Sequence, residues 1–330
     1  MVDATSRASP LTGGAAAPRR STKQVGMKRL MRRRSTTAFL FATPLMAVVV
    51  GLILYPGLYA VYLSMLNKAQ TKFIWFGNYA FLFRGFTFQS FITGEWFRSS
   101  EFGMVIEQSV IFAVSAVFFK AVIGIITAHL VNNLPSKGQR KWRGMLLVPW
   151  VIPLALSTLT WWWMFDPTYS AFNWASEQVG GPHISWLSDP YWARFCTVLV
   201  NVWYGSPFFL IMYLAAIKSV PLELYEAASI DGASAWQKLI HVTLPMMRNI
   251  ISITVLFSLI ITFANYDIVR VLTAGGPRNM THVFATFAFL KGIQVGDIPL
   301  GAAASLFMFP ILAVSSMFIL RGVRRRGKEI

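Results

Sequence analysis

Long apolar stretches alternate with short polar segments along most of this chain of 330 residues. A helix needs ~20 apolar residues to cross the hydrocarbon core of a bilayer. Stretches of that kind occur at about residues 38–65, 107–133, 145–164, 193–217, 249–270 and 299–320. The pattern therefore predicts an all-α integral membrane protein with six transmembrane helices.

Lysine and arginine residues are concentrated in alternate connections between the predicted spans. They precede the first span, fill the connection between the second and third, and follow the sixth, whereas residues 166–190 contain none. Because basic loops remain on the cytoplasmic side, this distribution predicts that both termini are cytoplasmic. The polar connection at residues 218–247 is then cytoplasmic as well.

The composition agrees with a lipid-facing surface, since 55% of the residues are hydrophobic and only 13% are charged. A soluble domain carries about a quarter charged residues. The net charge of +17 comes from basic residues beside apolar spans, which favours a membrane protein over one that binds nucleic acid. The single cysteine and four scattered histidines indicate no disulfide framework and no metal site.

The two ends of the chain are predicted to be tails. Residues 1–34 are rich in Ser, Ala, Gly, Pro and Arg and contain one acidic residue, so they are predicted to form a disordered basic cytoplasmic tail. Residues 323–330 form a short basic C-terminal tail. The six-helix domain occupies residues 36–322 between them.

The connection at residues 218–247 has the composition of two short helices. Ser219 is a candidate N-cap for the first, Gly232 ends it, and the second begins near Ser234. In the second helix Trp236 belongs to an apolar face with helical spacing. Such a pair lies on the membrane surface, packs against its own helix bundle, or enters a groove on a partner protein.

The residues of this connection carry a spaced motif. Glu226, Ala227 and Ala228 are followed after three residues by Gly232, and after nine more by Val242, Thr243, Leu244 and Pro245. This resembles the EAA loop of permease subunits of binding-protein-dependent ABC importers, with Val242 in place of the usual Ile. The resemblance implies that this loop docks on a cytoplasmic ATPase, through Glu226, Ala227, Ala228, Gly232, Leu244 and Pro245.

The resemblance also implies an assembly. A type I ABC importer permease forms a heterodimer with a second six-span permease, sits on a cytoplasmic ATPase dimer and receives its substrate from an extracytoplasmic solute-binding protein. The chain has no G-x-x-x-x-G-K-[ST] phosphate loop. We therefore expect no cofactor on this chain, with ATP and Mg used by the partner ATPase. The expected location is the cytoplasmic (inner) membrane of a bacterium or archaeon, with lipid around the spans.

A second motif narrows the family. Residues 272–277 read Leu-Thr-Ala-Gly-Gly-Pro, which on its own is a turn at a membrane exit. The same residues look like the L-T-x-G-G-P signature of the MalF/UgpA-like half of carbohydrate importers. The resemblance implies a sugar substrate and places this turn on the outer face, where the solute-binding protein docks.

Polar side chains inside the fourth and fifth spans are candidates for substrate contacts, because such residues usually face an interior or an aqueous cavity. Interhelical hydrogen bonding is the alternative role. The resemblance to the maltose permease implies that sugar contacts come from these two helices. The corresponding positions are Asn201, Tyr204, Gly205, Phe208, Thr262 and Asn265.

Lys120 is an unusual charge in the middle of the second predicted span. It either binds an anionic substrate, pairs with the partner permease, or extends its amine to the membrane surface. A competing hypothesis makes the protein an ion-coupled secondary transporter, with Lys120, Glu107 and Asp267 as relay groups. A membrane enzyme would need convergent His, Asp or Cys residues, which the scattered histidines do not supply.

Overall fold

The structure, a computed structural model, describes residues 34–326, and these residues are almost entirely helical. Their one β-bridge joins Leu66 and Phe73. The predicted N-terminal tail lies outside the described residues apart from Arg34, where the first helix begins. The last helix continues to Arg326, so the first part of the predicted C-terminal tail is helical and residues 327–330 lie outside the description.

The chain divides into two compact units at residue 58. In the first unit, α1 (Arg34–Val49) continues through a π-helical turn (Val50–Leu54) into the start of α2 (Tyr55–Ser64). Pro56 explains the wide turn, because proline has no N–H to donate to the carbonyl four residues earlier. The preceding residue, Tyr55, donates instead to Val50, five residues back.

The second unit holds the remaining helices. They are α3 (Gly77–Leu82), α4 (Phe88–Ile92), α5 (Glu95–Ser99), α6 (Glu101–Asn132), α7 (Ser136–Val151), α8 (Leu154–Met164), α9 (Ala171–Gln178), α10 (Pro190–Lys218), α11 (Leu222–Ile230), α12 (Ala235–Lys238), α13 (Leu244–Phe263), α14 (Asp267–Leu272), α15 (Phe284–Phe289), α16 (Ile298–Leu306) and α17 (Met308–Arg326). Two π-helical turns, Leu239–Thr243 and Leu290–Gln294, follow α12 and α15.

Five helical stretches among residues 34–326 are long and apolar enough to cross a membrane, and the bent pair α7–α8 makes up to six. The five are Phe41–Ser64, Glu101–Asn132, Pro190–Lys218, Ala235–Phe263 and Ile298–Arg321. This confirms the prediction of a helical membrane protein with about six spans. The cytoplasmic placement of both termini stays a prediction.

The third span differs from the continuous helix predicted at residues 145–164. It consists of α7 and α8, which meet at an angle of 88°. Pro153 causes the break, because a residue that precedes proline is driven out of the helical region. Ile152 accordingly has φ −72° and ψ 135°.

The fifth span is displaced towards the N-terminus relative to the predicted residues 249–270. A continuous helical path runs over Ala235–Phe263 and ends before Asn265, after which the short α14 begins. Pro245 is accommodated by the π-helical turn Leu239–Thr243, in which Leu244 donates to the carbonyl of Leu239. The predicted second short helix of the cytoplasmic connection is therefore the beginning of this span.

Close packing of α6, α10 and α13 forms the centre of the second unit. Buried side chains between them include Val117, Phe209, Tyr213 and Met247. A Cβ atom at Gly124 would lie 3.2 Å from the carbonyl carbon of Phe209 and 3.3 Å from Cδ2 of Tyr213. The glycine thus lets α6 approach α10 closely, as small residues commonly do between membrane helices.

Candidate functional site

The amine of Lys120 connects three spans. Lys120 lies on α6 and is only 4% exposed. Its Nζ donates to Oδ1 of Asn201 on α10 at 2.7 Å and to Oγ1 of Thr262 on α13 at 2.9 Å. Two of the predicted substrate residues are therefore brought together by a third residue, which the sequence alone did not assign to this site.

Gly205 provides the space for this arrangement. It follows Asn201 by four residues on α10, so the two lie on one face of the helix. A Cβ atom at position 205 would lie 2.5 Å from Cδ of Lys120 and 3.3 Å from its Nζ. The stem of Lys120 therefore crosses α10 where a side chain is missing, and the amine does not extend to the membrane surface.

The other three predicted substrate residues lie nearby along the same two helices. Tyr204 and Phe208 are half-buried on α10, and the ring of Phe208 contacts Phe257 with centroids 5.5 Å apart. Asn265 lies in the break after α13, where its Oδ1 accepts a hydrogen bond from the backbone N–H of Ile268 at 3.2 Å. Asn265 therefore helps to begin α14, and no residue in the described range accepts a hydrogen bond from its amide nitrogen.

The relay groups of the secondary-transporter hypothesis are not brought together. Glu107 on α6 lies 3.8 Å from Nη2 of Arg194, whereas Asp267 is exposed at the start of α14. Lys120 bonds to neutral acceptors in a different place. The structure therefore contains no continuous chain of these three residues.

The segment at residues 219–238 folds as two helical pieces, α11 and α12, joined by a tight turn. Ser219 does not cap α11 as predicted, since its hydroxyl donates to the carbonyl of Ala216 and closes α10. Pro221 occupies the N-cap position instead. Gly232 has φ +75°, the left-handed conformation expected of it, and Ser234 caps the next helix reciprocally with Gln237.

The docking candidates on this segment point away from the chain. Glu226 and Ala227 are exposed and Ala228 is half-buried, and the Glu226 carboxylate forms no salt bridge with any residue in the range 34–326. Trp236 is 68% exposed, so its apolar face is not covered by the described part of this chain. Leu244 and Pro245 lie at the start of α13.

Hydrogen bonds to a side chain that follows it in sequence stabilise the turn at residues 272–277. Thr281 Oγ1 donates to the carbonyl of Gly276 at 2.6 Å and lies 2.7 Å from Thr273 Oγ1. Gly275 has φ +93° and lies against the ring of His282, where a Cβ atom would not fit. Burial lowers the pKa of His282 to about 4, so this imidazole is neutral at pH 7.

Comparisons with known proteins agree with this arrangement. Residues 120–327 match the family described as binding-protein-dependent transport system inner membrane component. The chain is 29% identical over 304 residues to the trehalose/maltose transport system permease protein MalF of Thermococcus litoralis, with 90% of this chain and 97% of that protein aligned.

Two further relatives extend the comparison. The sulfoquinovosyl glycerol transport system permease protein SmoG of Agrobacterium fabrum is 31% identical over 197 residues, which are 60% of this chain and 64% of that protein. A crystal structure of a bacterial alginate ABC transporter, in complex with an alginate pentasaccharide-bound periplasmic protein, has the same fold. It matches with a TM-score of 0.69 and 23% identity, over 90% of this chain and 96% of that one.

The matched family is a transport component rather than an ATPase, and its members are inner-membrane proteins. These matches favour the importer hypothesis over the secondary transporter and confirm the resemblance that the motifs indicated. The chain belongs to the family of binding-protein-dependent transport system inner membrane components, as a multi-pass ABC importer permease of the MalF/UgpA type.

Proposed function

We propose that this permease forms half of the path by which an ATP-driven importer moves a sugar across the cytoplasmic membrane. A second six-span permease would supply the other half. A cytoplasmic ATPase dimer would use ATP and Mg to drive the change of state, and an extracytoplasmic binding protein would deliver the sugar. The relatives named for trehalose/maltose and sulfoquinovosyl glycerol support a carbohydrate as the substrate class.

The observation that carries this proposal is the exposed surface of residues 222–236. Glu226 presents a carboxylate without an internal salt bridge, and two large apolar side chains nearby, Ile230 and Trp236, are 87% and 68% exposed. Apolar side chains clustered around a free charge mark a surface that another protein covers. A basic side chain of the ATPase would pair with Glu226, and Ala227 and Ala228 would allow close approach.

The sugar would bind beside α10 and α13. Asn201, Tyr204, Thr262 and Asn265 offer hydrogen-bonding groups to sugar hydroxyls, and Phe208 offers a flat apolar face. Gly205 leaves room for the stem of Lys120 beside them. Polar groups of this kind are costly inside a membrane unless they serve an interior site, and the clustering of Asn201 and Thr262 on one amine supports a shared site.

Affinity purification of the tagged chain from native membranes in mild detergent tests the proposal. We expect a second six-span permease and an ATPase with a Walker motif in the same complex. Glu226→Lys should remove the ATPase and abolish sugar uptake, while membrane insertion is retained. Glu95→Lys is the control for the change of charge, because Glu95 is also exposed and lies in the first turn of α5, outside residues 222–236. A chain that purifies alone and supports uptake after ATP depletion would refute the proposal.

A further inference from the structure

We infer that Lys120 makes this permease select carbohydrates that carry a negative charge, such as a carboxylate, sulfonate or phosphate. The inference rests on the proposed function and names the substrate class within it. Its basis is the position of a buried lysine amine, with no counter-ion among residues 34–326, at the two residues that would bind the sugar.

Lys120 is singular among the charged residues. Of the Asp, Glu, Lys and Arg side chains that the structure describes, it is the only buried one. The described salt bridges join Glu177 to His183, Glu107 to Arg194 and Glu101 to Lys291. Within that part of the chain the ammonium group therefore has hydrogen bonds but no counter-ion.

A purely structural connection between helices does not require this charge. Asn201 and Thr262 are themselves able to donate and accept hydrogen bonds, and a neutral side chain at position 120 would join the same helices at a lower desolvation cost. A lysine without a counter-ion is costly in a membrane interior and marks a functional position. We assign the missing anion to the substrate rather than to the second permease, because the amine lies on the two residues that would bind the sugar.

The hydrogen bonds of Lys120 discriminate between neutral and acidic sugars. Its amine donates hydrogen bonds to Asn201 Oδ1 and Thr262 Oγ1. Sugar hydroxyls would use the same two acceptors. A neutral sugar that takes these acceptors offers the buried amine only uncharged hydroxyl oxygens in exchange. An acidic sugar replaces the lost bonds with stronger, charge-assisted ones, so binding of that class is favoured.

The test uses the whole importer, reconstituted in proteoliposomes with its binding protein. The probes are an equimolar pool of neutral mono-, di- and trisaccharides and of their uronic acid counterparts, and the imported sugars are identified by mass spectrometry. We expect wild type to import uronates in preference to neutral sugars. Lys120→Gln should lower uronate uptake about tenfold or more, the typical contribution of a charge-assisted hydrogen bond, and Lys120→Arg should retain much of it.

The outcomes separate this inference from the proposed function. Import of neutral sugars in preference to uronates by wild type would overturn the inference alone, and so would normal uronate uptake by Lys120→Gln. If the variants fail to assemble, the preference of the wild-type complex for uronates or for neutral sugars tests the inference by itself. ATP-dependent import of no carbohydrate probe would refute the sugar proposal and this inference together.

Discussion

The hydroxyl groups of Tyr225 and Thr243 lie 2.9 Å apart and join α11 to the π-helical turn at the start of the fifth span. Thr243 also donates to the carbonyl of Lys238 at 3.2 Å, so Tyr225 is the donor in the pair. Tyr225 immediately precedes Glu226, the proposed contact with the ATPase. If the ATPase moves that contact, this side-chain hydrogen bond would carry the movement to the fifth span together with the backbone.

Tyr225→Phe should lower the amount of sugar imported per ATP hydrolysed without releasing the ATPase. A neutral hydrogen bond contributes about 0.5–1.5 kcal/mol, which corresponds to a loss of about 2- to 10-fold. Uptake and phosphate release, measured together in proteoliposomes, give this ratio. Tyr191→Phe, at an exposed position on α10, should leave it unchanged. An unaltered ratio in Tyr225→Phe would show that the hydrogen bond plays no part in coupling.

Gly232→Ala should weaken ATPase binding because of backbone conformation alone. The position has φ +75° and no atom within 4 Å of an added Cβ, so the cost is the left-handed backbone, about 1–2 kcal/mol for a residue other than glycine. Gly144→Ala is the control, since that site is equally open but helical. Retention of the ATPase during purification measures the effect, and equal retention in both variants would contradict it.

Gly301→Ala should destabilise the packing of α16 against the π-helical turn Leu290–Gln294, whereas Gly292→Ala should be tolerated. A Cβ at Gly301 would lie 2.7 Å from the backbone of Gly292, but a Cβ at Gly292 would be 3.7 Å from its nearest neighbour. Since backbone atoms cannot move aside easily, we expect a loss of about 1–3 kcal/mol for Gly301→Ala only. Thermal unfolding in detergent compares the two, and equal melting temperatures would argue against this close contact.

Acid should loosen the turn at residues 272–277 through His282. Burial, with smaller effects from Lys291 and Arg270, lowers the pKa of His282 to about 4 against an opposing effect of Glu101. When the turn opens, the imidazole regains its ordinary pKa and takes up a proton more readily. The stabilisation is therefore complete above about pH 6.5 and decreases towards pH 4, by on the order of 3 kcal/mol in total.

Hydrogen exchange of peptides from this turn, at pH 7.5 and pH 5 with correction for intrinsic rates, measures this effect. Protection should be lower at pH 5 in wild type and in His241→Gln, a control at an exposed histidine far from this turn in sequence. It should depend much less on pH in His282→Gln. Equal protection of the wild-type turn at both pH values would contradict the prediction.

The membrane spans were predictable because contact with lipid requires long apolar helices, whatever their neighbours are. The bend at Pro153 was not, since proline in a membrane helix produces either a tolerated kink or a break, and packing decides between them. Ser219 illustrates a second ambiguity. A serine between two helices is able to close the first or cap the second, and here its hydroxyl bonds backwards to Ala216.

The candidate site was predicted only in part for a different reason. Asn201 and Thr262 were identified from their helices, but their connection through Lys120 spans 81 and 142 residues of sequence. Such a contact depends on the rotation of each helix about its axis, which a pattern of single residues does not determine. Gly205 has no side chain and so leaves space for the side chain of Lys120. This role becomes apparent only when α6 and α10 are packed together.

The unbroken helix Ala235–Phe263 has a mechanical consequence. Its 29 residues form a rod about 43 Å long, with the ATPase-facing segment at one end and Thr262 at the other. If the ATPase tilts this rod by only about 5° around its cytoplasmic end, Thr262 moves by about 4 Å. A displacement of that size would break the hydrogen bond between Thr262 and Lys120, so a small tilt at one end of this helix would release the proposed sugar site at the other end.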